Sequence, residues 1–364
     1  KIGLSGCARD CAFSAINALG AIAVTRKENG SVRRGFRVVI GGGLGTIPMP
    51  AQLISDFLPE EELLPTCEAL IRLFDRTGDR KNKQRARFKF VLHRLGLEEV
   101  ARLLAEERQR ISTEGTDFPA LTPSPGAPAV AVRYVKTPAP EPGFEAWRAA
   151  NVVPQRQRGY NAVFVAAPLG NLTSAQMEAI ATLAEDSCAG EFQTTNQQDL
   201  ALRWAPDAAL PEVHKRLAQS GLADMRAEGP EDVTCCPGAT ACSLALTCAP
   251  GLAKQLMEVL SAPRYQEDEQ LSRLRIKVSG CPDSCGQHHL GDIGFYGCAV
   301  HDSSRLYPAY TMLLGGGVDE QGTRLGQPVM KLPARKTPAA TAALLDLYLA
   351  QRRPGEAFRA FVER

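Results

Sequence analysis

Two pairs of cysteines in the last third of the chain have the types and spacing to hold a metal centre. Cys236 and Cys242 are separated by five residues, and Cys281 and Cys285 by three. Four thiolates in two pairs suit a [4Fe–4S] cubane cluster, in which each iron takes one cysteine. The Pro and Gly residues beside them allow the backbone to approach such a cluster and to direct N–H groups at its sulfurs. The spacing therefore predicts a [4Fe–4S] cluster on these four residues.

The same residues leave three alternatives open. Structural zinc is one, although zinc ligands usually lie two to four residues apart and the five-residue gap fits that pattern poorly. Uncoordinated core thiols are another, because a free cysteine often behaves as a small buried hydrophobe. Cys235 could also replace Cys236 as a ligand, but Cys236 is followed directly by Pro237 and Gly238, which places it at a turn.

The composition is that of a globular chain with more than one domain. Its 364 residues are 44% hydrophobic and 23% charged, which gives room for two or three cores. The net charge of +2 gives no argument for nucleic acid. No apolar run approaches the roughly 20 residues that span a bilayer, and no secretion signal is visible. Eleven cysteines clustered in short motifs favour a reducing compartment, so we expect a cytoplasmic protein without membrane contact.

The second cysteine pair has a counterpart at the start of the chain. Residues 2–11 align with residues 276–285 at an offset of 274 positions, which is the distance from Cys7 to Cys281. The same offset superposes two single glycines and two Gly-Gly-Gly runs. We interpret the chain as two homologous half-molecules with pseudo-two-fold symmetry. Because the counterpart of Cys236 would precede the first residue, we also expect about 100 or more further N-terminal residues in the intact protein.

Regular elements that must position the cysteines are predicted from periodicity and turn residues. Residues 1–45 suggest a strand, a turn, a helix, a second strand and a glycine turn. A segment rich in Pro, Gly, Ser and Thr, residues 113–142, suggests a linker. Further helices are predicted at residues 59–73, 81–95, 97–110, 174–185, 211–219, 243–261 and 338–352, and further strands at residues 162–167, 192–204, 275–279 and 310–314.

Both cysteine motifs resemble those of the sirohaem-containing nitrite and sulfite reductases. The resemblance rests on Thr-x-Cys-Pro-Gly-x3-Cys beginning at Thr234, on Ser-Gly-Cys-Pro-Asp-x-Cys-Gly-Gln-His beginning at Ser279, and on Asp-Ile-Gly beginning at Asp292. It covers nearly the whole chain. It implies an α+β fold, a pseudo-two-fold repeat of mixed α/β domains plus a ferredoxin-like half-domain. We expect a first reductase domain at 1–118, the half-domain at 119–220 and the cluster-bearing domain at 221–364.

The resemblance also implies two cofactors and a reaction. A [4Fe–4S] cluster and sirohaem would share one thiolate, which by position is that of Cys285, and would pass six electrons to a small anion. The product would be sulfide from sulfite or ammonia from nitrite, with sulfite slightly preferred on the Cys-Pro-Gly turn. The electron donor would be ferredoxin or a flavoprotein. The alternative is an iron–sulfur electron-transfer protein, or a degenerate structural protein, that lacks sirohaem.

Several residues outside the cysteine motifs match functional positions of the family. Lys1 matches the second lysine of an active-site Lys-x-Lys that binds the anion and supplies protons. Asn196, Gln197 and Gln198 match sirohaem contacts, and Gly42 and Gly43 could direct backbone N–H groups at a sirohaem carboxylate or simply form a tight turn.

Further basic residues could bind the carboxylates of sirohaem or lie on solvated surfaces; they are Arg33, Arg34, Arg37, Lys81, Lys83, Arg85, Arg87 and Lys89. His288 and His289 could be hydrogen-bond donors near the site or polar surface residues. Cys7 and Cys11 copy the ligand spacing, but the family carries one cluster per chain, so we expect them to be vestigial.

Overall fold

The computed structural model describes residues 1–28, 30–121, 139–224, 226–302, 305–319 and 322–364. The chain divides into two compact units, Lys1–Pro123 with Gly316–Gly326, and Ser124–Gly315 with Gln327–Arg364. Residues 122–138 of the predicted linker lie outside the described residues. The mixture of helices and sheets confirms the α+β class. In the described ranges, no helix is both long and apolar enough to traverse a bilayer.

The strands are β1 (Ile2–Ser5), β2 (Leu19–Glu28), β3 (Ser31–Ile40), β4 (Gln52–Pro59), β5 (Val152–Pro154), β6 (Tyr160–Val165), β7 (Phe192–Thr194), β8 (Leu200–Pro206), β9 (Thr234–Cys235), β10 (Ile276–Ser279), β11 (Ile293–Asp302), β12 (Arg305–Leu314), β13 (Gly317–Asp319), β14 (Gly322–Arg324) and β15 (Gln327–Pro333). The helices are α1 (Leu63–Thr77), α2 (Phe88–Leu95), α3 (Leu97–Thr113), α4 (Phe144–Asn151), α5 (Ser174–Ser187), α6 (Leu210–Gln219), α7 (Ala249–Leu260), α8 (Pro263–Gln266), α9 (Thr337–Gln351) and α10 (Phe358–Glu363).

The first unit is built on a four-stranded sheet in the order β1-β2-β3-β4. Strand β1 runs parallel to β2, and the other neighbours are antiparallel. Alternate residues of β3, among them Val38 and Ile40, are fully buried and pack with Leu70 and Leu73 of α1 in one core. Alternation along the strand and the 3.6-residue repeat along the helix thus place the apolar face of β3 against the apolar face of α1.

The second unit contains a five-stranded sheet in the order β15-β12-β11-β10-β9. Strand β10, next to the edge strand β9, runs parallel to both β9 and β11. Ile276 and Val278 of β10 pack into the core with α7 and α9, whereas Lys277 and Ser279 point to the other face. All four residues of β10 are buried, so a second layer covers that other face as well.

The same unit also contains a four-stranded antiparallel sheet in the order β5-β6-β8-β7. Its core is formed by strand residues such as Val163 and Leu202 together with Ile180 of α5 and Val213 of α6. Helix α5 begins with a full capping box, in which Thr173 and Gln176 satisfy each other's backbone N–H groups. This sheet and its helices form the ferredoxin-like half of the fold.

The predicted repeat is confirmed by the strand register. In β1 and β2, Ile2 lies opposite Leu19, and in β10 and β11, Ile276 lies opposite Ile293, so both partners are shifted by 274 positions. The limits of α1 and of α9 differ by the same 274 positions at both ends. The two half-molecules therefore share their path through a strand, a parallel strand and a helix.

Four segments differ from the sequence-based prediction. The helix expected early in residues 1–45 is a short 3-10 turn, Ser14–Ile16, because the β-branched residues of β2 continue as a strand. The basic segment forms a 3-10 turn at Lys83–Arg85 and an α-helix only in α2, after an extended Arg87. The strand predicted at 192–204 is two strands separated by a turn, in which Gln198 has a φ of 75°. The helix predicted at 243–261 begins only at Ala249.

Candidate metal centre

The sheet topology brings the two predicted cysteine pairs to one edge. Cys236 directly follows β9, and Cys281 follows β10 after one residue, Gly280. Because β9 and β10 are adjacent and parallel, their C-terminal ends meet at the same edge of the sheet. The N–H of Gly280 donates to Cys236 Sγ at 3.1 Å, which joins the first cysteine loop to the second.

The two cysteine loops are also interlocked through their backbones. The N–H groups of Leu246 and Thr247 both donate to Gly280 O, at 2.8 and 3.1 Å. The N–H of Cys236 donates to Val278 O at 3.1 Å, and that of Cys242 donates to Gly238 O at 2.9 Å. The chain from Cys236 to Thr247 therefore wraps around the turn that starts the second loop, and Cys242 lies on that wrapped segment.

Glycines permit this close approach. A Cβ on Gly280 would lie 2.8 Å from Gly238 Cα and 2.9 Å from Thr247 O. A Cβ on Gly286 would lie 2.1 Å from Val278 O. All three distances are too short for a Cβ, and the atoms in the way belong to the backbone and cannot turn aside. The glycines that the sequence places beside the cysteines are thus required for the packing of the two loops.

The structure distinguishes Cys236 from its neighbour Cys235. The side chain of Cys235 is 3% exposed and packs into the hydrophobic core, where burial raises the pKa of its thiol to about 12. The side chain of Cys236 is only half-buried and accepts the N–H of Gly280. The geometry therefore favours Cys236 over Cys235 as the ligand, as the turn after it predicts.

Buried polar atoms without a protein partner lie beside the second cysteine pair. Ser284 Oγ has none among the described residues, nor has either ring nitrogen of His288. His288 is fully buried and stacks on Tyr296 and His289, with ring centroids 5.0 and 4.3 Å apart. Burial lowers the pKa of His288 to about 2, so its ring is neutral. Such groups are costly unless something pairs with them.

The donor set and its surroundings fit an iron–sulfur cluster. Four thiols, a backbone N–H directed at sulfur and a glycine-lined approach are the features such a cluster uses. Among the described residues, no group of three or more His, Cys, Asp or Glu side chains is placed to hold one metal ion. A [4Fe–4S] cubane does not require such a group, since each of its four cysteines binds a different iron.

The turn between β7 and β8 is hydrogen-bonded to the cysteine-bearing strands. Gln198 Oε1 accepts the N–H of Cys235 at 2.9 Å. Gln197 Oε1 accepts from Lys277 Nζ at 2.6 Å and from Thr234 Oγ1 at 3.2 Å. Gln198, expected as a sirohaem contact, therefore has its amide oxygen engaged within the protein. Asn196 is exposed at the tip of this turn, and its contact with sirohaem stays a prediction.

Sequence reasoning missed Lys277. Its side chain is only 1% exposed, on the face of β10 opposite the apolar core. The available signal was the position of this lysine within a predicted strand, between the apolar residues Ile276 and Val278. That signal is weak, because a lysine at such a position in a two-layer fold ordinarily points to solvent.

A buried pair of carboxyl groups lies near Lys277. Asp199 is 1% exposed and Asp232 is 8% exposed. Asp199 Oδ1 accepts the N–H of Ala167 at 3.1 Å, and Asp232 Oδ2 accepts that of Glu228 at 2.8 Å. Burial, and then the adjacent Asp232, raise the pKa of Asp199 to about 9. The two carboxyls thus share one proton near neutral pH.

In the first unit, the predicted glycine donors are engaged within the protein. The N–H of Gly42 donates to Asn17 O and that of Gly43 to Met49 O, both at 2.8 Å. A Cβ on Gly42 would lie 2.2 Å from Ala15 O, so this glycine is needed for close packing. Donation from these two N–H groups to a cofactor carboxylate is therefore unsupported, and contact of the two glycines with a cofactor stays a prediction.

The basic residues of the first unit likewise have internal roles. Lys89 is 3% exposed, and its Nζ donates to Leu44 O at 2.9 Å and to Ile47 O at 2.5 Å. Burial lowers the pKa of Lys89 to about 8. Arg87 Nη1 donates to the same Leu44 O at 2.5 Å. These two side chains hold the glycine-rich turn rather than offering an exposed cradle.

Three of the basic residues proposed for sirohaem carboxylates form surface ion pairs: Arg33 with Glu61, Arg34 with Glu60 and Arg37 with Asp56. Cys7 and Cys11 are exposed, and their vestigial character stays a prediction. Lys1 is exposed, its carbonyl accepts the N–H of Leu19 at 3.3 Å, and its catalytic role also stays a prediction.

Comparison with known protein families matches most of the chain. Residues 1–111 and 227–364 match the family described as nitrite and sulphite reductase 4Fe-4S domain. Residues 153–220 match the family described as nitrite/sulfite reductase ferredoxin-like half domain. The first match contains all four predicted ligands, and the second contains the turn of Gln197 and Gln198.

Individual relatives are similar over nearly the same extent. The assimilatory ferredoxin-dependent nitrite reductase of Haloferax mediterranei is 27% identical over all of this chain and 60% of its own length. The sulfite reductase (ferredoxin) 2 of Mycolicibacterium paratuberculosis is 30% identical over 84% of this chain and 51% of its own. The structure of the Mycobacterium tuberculosis NirA protein matches 99% of this chain and 62% of that one, with a TM-score of 0.77 and 25% identity. The chain thus spans about half to three fifths of the length of these proteins.

Proposed function

Because the chain belongs to the nitrite and sulphite reductase 4Fe-4S domain family, we propose that it is the cluster-bearing part of an enzyme that reduces sulfite or nitrite. The resemblance read from the two cysteine motifs is confirmed by this membership, which implies a [4Fe–4S] cluster coupled to sirohaem. The observation that carries the proposal is the junction of the two cysteine loops, where Gly280 N–H meets Cys236 Sγ at 3.1 Å.

The ligands proposed for the cluster are Cys236, Cys242, Cys281 and Cys285. Cys285 is the residue proposed to be shared with sirohaem, as the last of the four in the chain. When bound at these residues, the coupled centres would supply electrons one at a time to the anion. The rest of the chemistry falls to the protein, which must hold the thiolates, tune them and admit the anion.

The protein's own part begins with the backbone around the sulfurs. The N–H of Gly280 donates to Cys236 Sγ and so disperses its negative charge, and hydrogen bonds to cluster sulfurs raise the reduction potential. Cys281 is 9% exposed, whereas Cys242 and Cys285 are exposed on the protein surface. The site thus has a shielded side and an open side, and the open side is the one proposed to meet the sirohaem.

The substrate and the donor are proposed from the relatives. Named relatives reduce either nitrite or sulfite, so the proposed substrate class is a small oxyanion of nitrogen or sulfur. Both are named for ferredoxin, and a ferredoxin is therefore the proposed donor. Lys1, which carries an exposed ammonium group, is the residue of this chain proposed to bind the anion and to supply protons.

The test uses the full-length protein purified without oxygen. We expect sirohaem absorption bands and about four irons per chain beyond the haem iron. The protein should then reduce sulfite or nitrite while it oxidises reduced ferredoxin. Comparison of kcat/KM for the two anions identifies the substrate.

Two results would contradict the proposal. A cluster spectrum without haem bands would favour an electron-transfer protein, and haem bands without turnover of either anion would leave a cofactor-binding protein that is not a reductase. Removing Cys285 as Cys285→Ala should remove both the cluster signal and the haem bands if this thiolate is shared.

A further inference from the structure

Lys277 is enclosed at the base of both cysteine loops. Its side chain is 1% exposed, and its Nζ donates to Gln197 Oε1 at 2.6 Å, to Gln287 Oε1 at 3.3 Å and to Thr234 Oγ1 at 3.4 Å. Thr234 lies two residues before Cys236, and Gln287 lies two residues after Cys285. The ammonium group therefore contacts the residues that flank the proposed ligands at both ends.

The charged surroundings of Lys277 come from three parts of the second unit. Asp199 precedes β8, while Asp232 and Glu228 precede β9, and all three favour the charged form of the lysine. Arg275, at the start of the same strand, opposes that charge and pairs with Glu228 at 2.9 Å. The 3-10 turn His288–Leu290 packs against the same strand with two histidines, of which His288 is neutral.

An enclosed ammonium group is expensive for a folded protein. Three neutral oxygens accept from Lys277 Nζ, and the nearby carboxyl groups compensate only part of the cost of transferring its charge from water. An apolar side chain of the same length would fill this space at lower cost. The position of the lysine beside the cysteine loops suggests what the charge stabilises.

We propose, on the basis of the function proposed above, that Lys277 sets the reduction potential of the cluster held by the two cysteine loops. A one-electron donor of the ferredoxin class gives up one electron, and the cluster gains it together with one unit of negative charge. No bond is formed or broken in this step. An ammonium group in the protein interior, little screened by salt, stabilises the reduced cluster more than the oxidised one.

The proposal has a signature in the pH dependence of the potential. Burial is the largest cause that lowers the pKa of Lys277, to about 7, and the three carboxyl groups act against it. As the pH rises through about 7 the ammonium loses its charge, and the potential of the cluster falls. A purely structural lysine would give no such fall.

The experiment is a redox titration of the full-length holoenzyme, followed by electron paramagnetic resonance of the reduced cluster at pH 6 and pH 8.5. In Lys277→Met, which keeps the length but removes the charge, the midpoint potential at pH 6 should fall by about 59 mV or more, a tenfold change in the one-electron equilibrium. In Lys277→Arg, which stays charged at both pH values, the potential should stay high and lose its pH dependence.

Lys254→Met is the matched control, since Lys254 is an exposed lysine on α7 that packs against the same sheet. Its potential should match that of the unchanged protein, because water and salt screen a surface charge. Equal potentials in all three variants, with a normal cluster signal, would overturn the role of Lys277. Absence of any cluster signal in the unchanged protein would instead overturn the proposed function. If Lys277→Met fails to fold, the pH dependence of the unchanged protein against Lys277→Arg decides alone.

Discussion

The two cysteine loops of the repeat, residues 5–17 and residues 279–291, follow the same path but are stabilised differently. Ser5 Oγ accepts the N–H of Ala12 at 3.1 Å, and Ser279 Oγ accepts the N–H of Gly286 at the same distance. Each loop then turns through two residues of positive φ, which are Asp10 and Phe13 in the first and Ser284 and Gln287 in the second. The backbone path of the loop is therefore common to both copies of the repeat.

The residue at the centre of the loop distinguishes the two copies. In the first loop, the buried carboxylate of Asp10 accepts from Ser5 Oγ at 2.7 Å and from Ser14 N and Oγ at 2.9 and 2.6 Å. In the second loop, Ser284 takes this place, and its Oγ has no partner among the described residues. The first loop thus satisfies its own polar groups, whereas the second leaves some of them unpaired.

What the second loop lacks internally is supplied by other segments of the chain. Gly280 packs against Gly238 and Thr247, whereas Gly6, its equivalent in the first loop, has no atom of the described residues within 4 Å of a built Cβ. The position equivalent to Lys277 is Gly3. A Cys-x3-Cys spacing is therefore compatible with a self-contained loop or with one that other segments complete, and the flanking residues decide which.

Equivalent cysteine substitutions should have opposite outcomes in the two loops. We expect Cys281→Ser to abolish cluster binding, because the cubane loses an iron ligand, and Cys7→Ser to leave it intact. Iron and acid-labile sulfide per chain, measured after purification without oxygen, check this. Loss of cluster in Cys7→Ser would show that the first loop is not vestigial.

Removing the central residue should destabilise only the first loop. Asp10→Ala leaves three buried donors unpaired, so the free energy of unfolding should fall by about 3 kcal/mol. Ser284→Ala removes a hydroxyl that already lacks a partner, and we expect a change within about 0.5 kcal/mol. Urea denaturation of the apoprotein measures both. Similar losses in the two variants would mean that Ser284 is satisfied as Asp10 is.

An added methyl group should distinguish the open loop from the packed one. In Gly280→Ala the new Cβ would lie 2.8 Å from Gly238 Cα, so the two loops must move apart, at a cost of about 1–3 kcal/mol. Gly6→Ala meets nothing and should change the free energy of unfolding by less than about 0.5 kcal/mol. Thermal denaturation of both variants tests this difference, and a destabilised Gly6→Ala would contradict it.

The buried residues Asp199 and Lys277, beneath the second loop, should have the smallest and most pH-dependent effect on the free energy of unfolding. The pKa of Asp199 lies above its unfolded value, so its stabilising contribution is lost as the pH rises from about 4 to 9. The pKa of Lys277 lies below its unfolded value, so its contribution grows from about pH 7 upwards. The two oppose each other, and we expect a net change of about 1 kcal/mol or less between pH 7 and 9.

Asp199→Asn separates these contributions, because the amide mimics the protonated carboxyl and does not titrate. The stability of this variant should then rise between pH 7 and 9, since only Lys277 continues to titrate. Urea denaturation at pH 6, 7.5 and 9 provides the measurement. A decline with pH in Asp199→Asn would indicate that another group dominates.

The repeat and the family could be predicted because they rest on residue types at fixed spacings, and the assignment of the four cysteines as ligands stays a prediction. Spacing and flanking glycines lie within short stretches of sequence, and the constant offset of 274 positions appears when two such stretches are compared. The burial of Lys277 could not be predicted, because its acceptor Gln197 lies 80 positions away and the burial depends on the packing of two sheets. The internal hydrogen bonds of the Gly42 and Gly43 N–H groups could not be predicted for the same reason, since a glycine run does not indicate which carbonyls accept from it.

The hydrogen bonds from the turn at Gln197 and Gln198 have a consequence for biosynthesis. That turn precedes β9 by more than 30 residues, and it precedes β10 by about 80. On a ribosome it emerges first, and domains tend to fold in the order in which they emerge. The ferredoxin-like half can therefore be folded when the cysteines appear, and it offers amide oxygens to Cys235 N–H and Lys277 Nζ before any iron arrives. The cluster would then be inserted between loops that the ferredoxin-like half has already positioned.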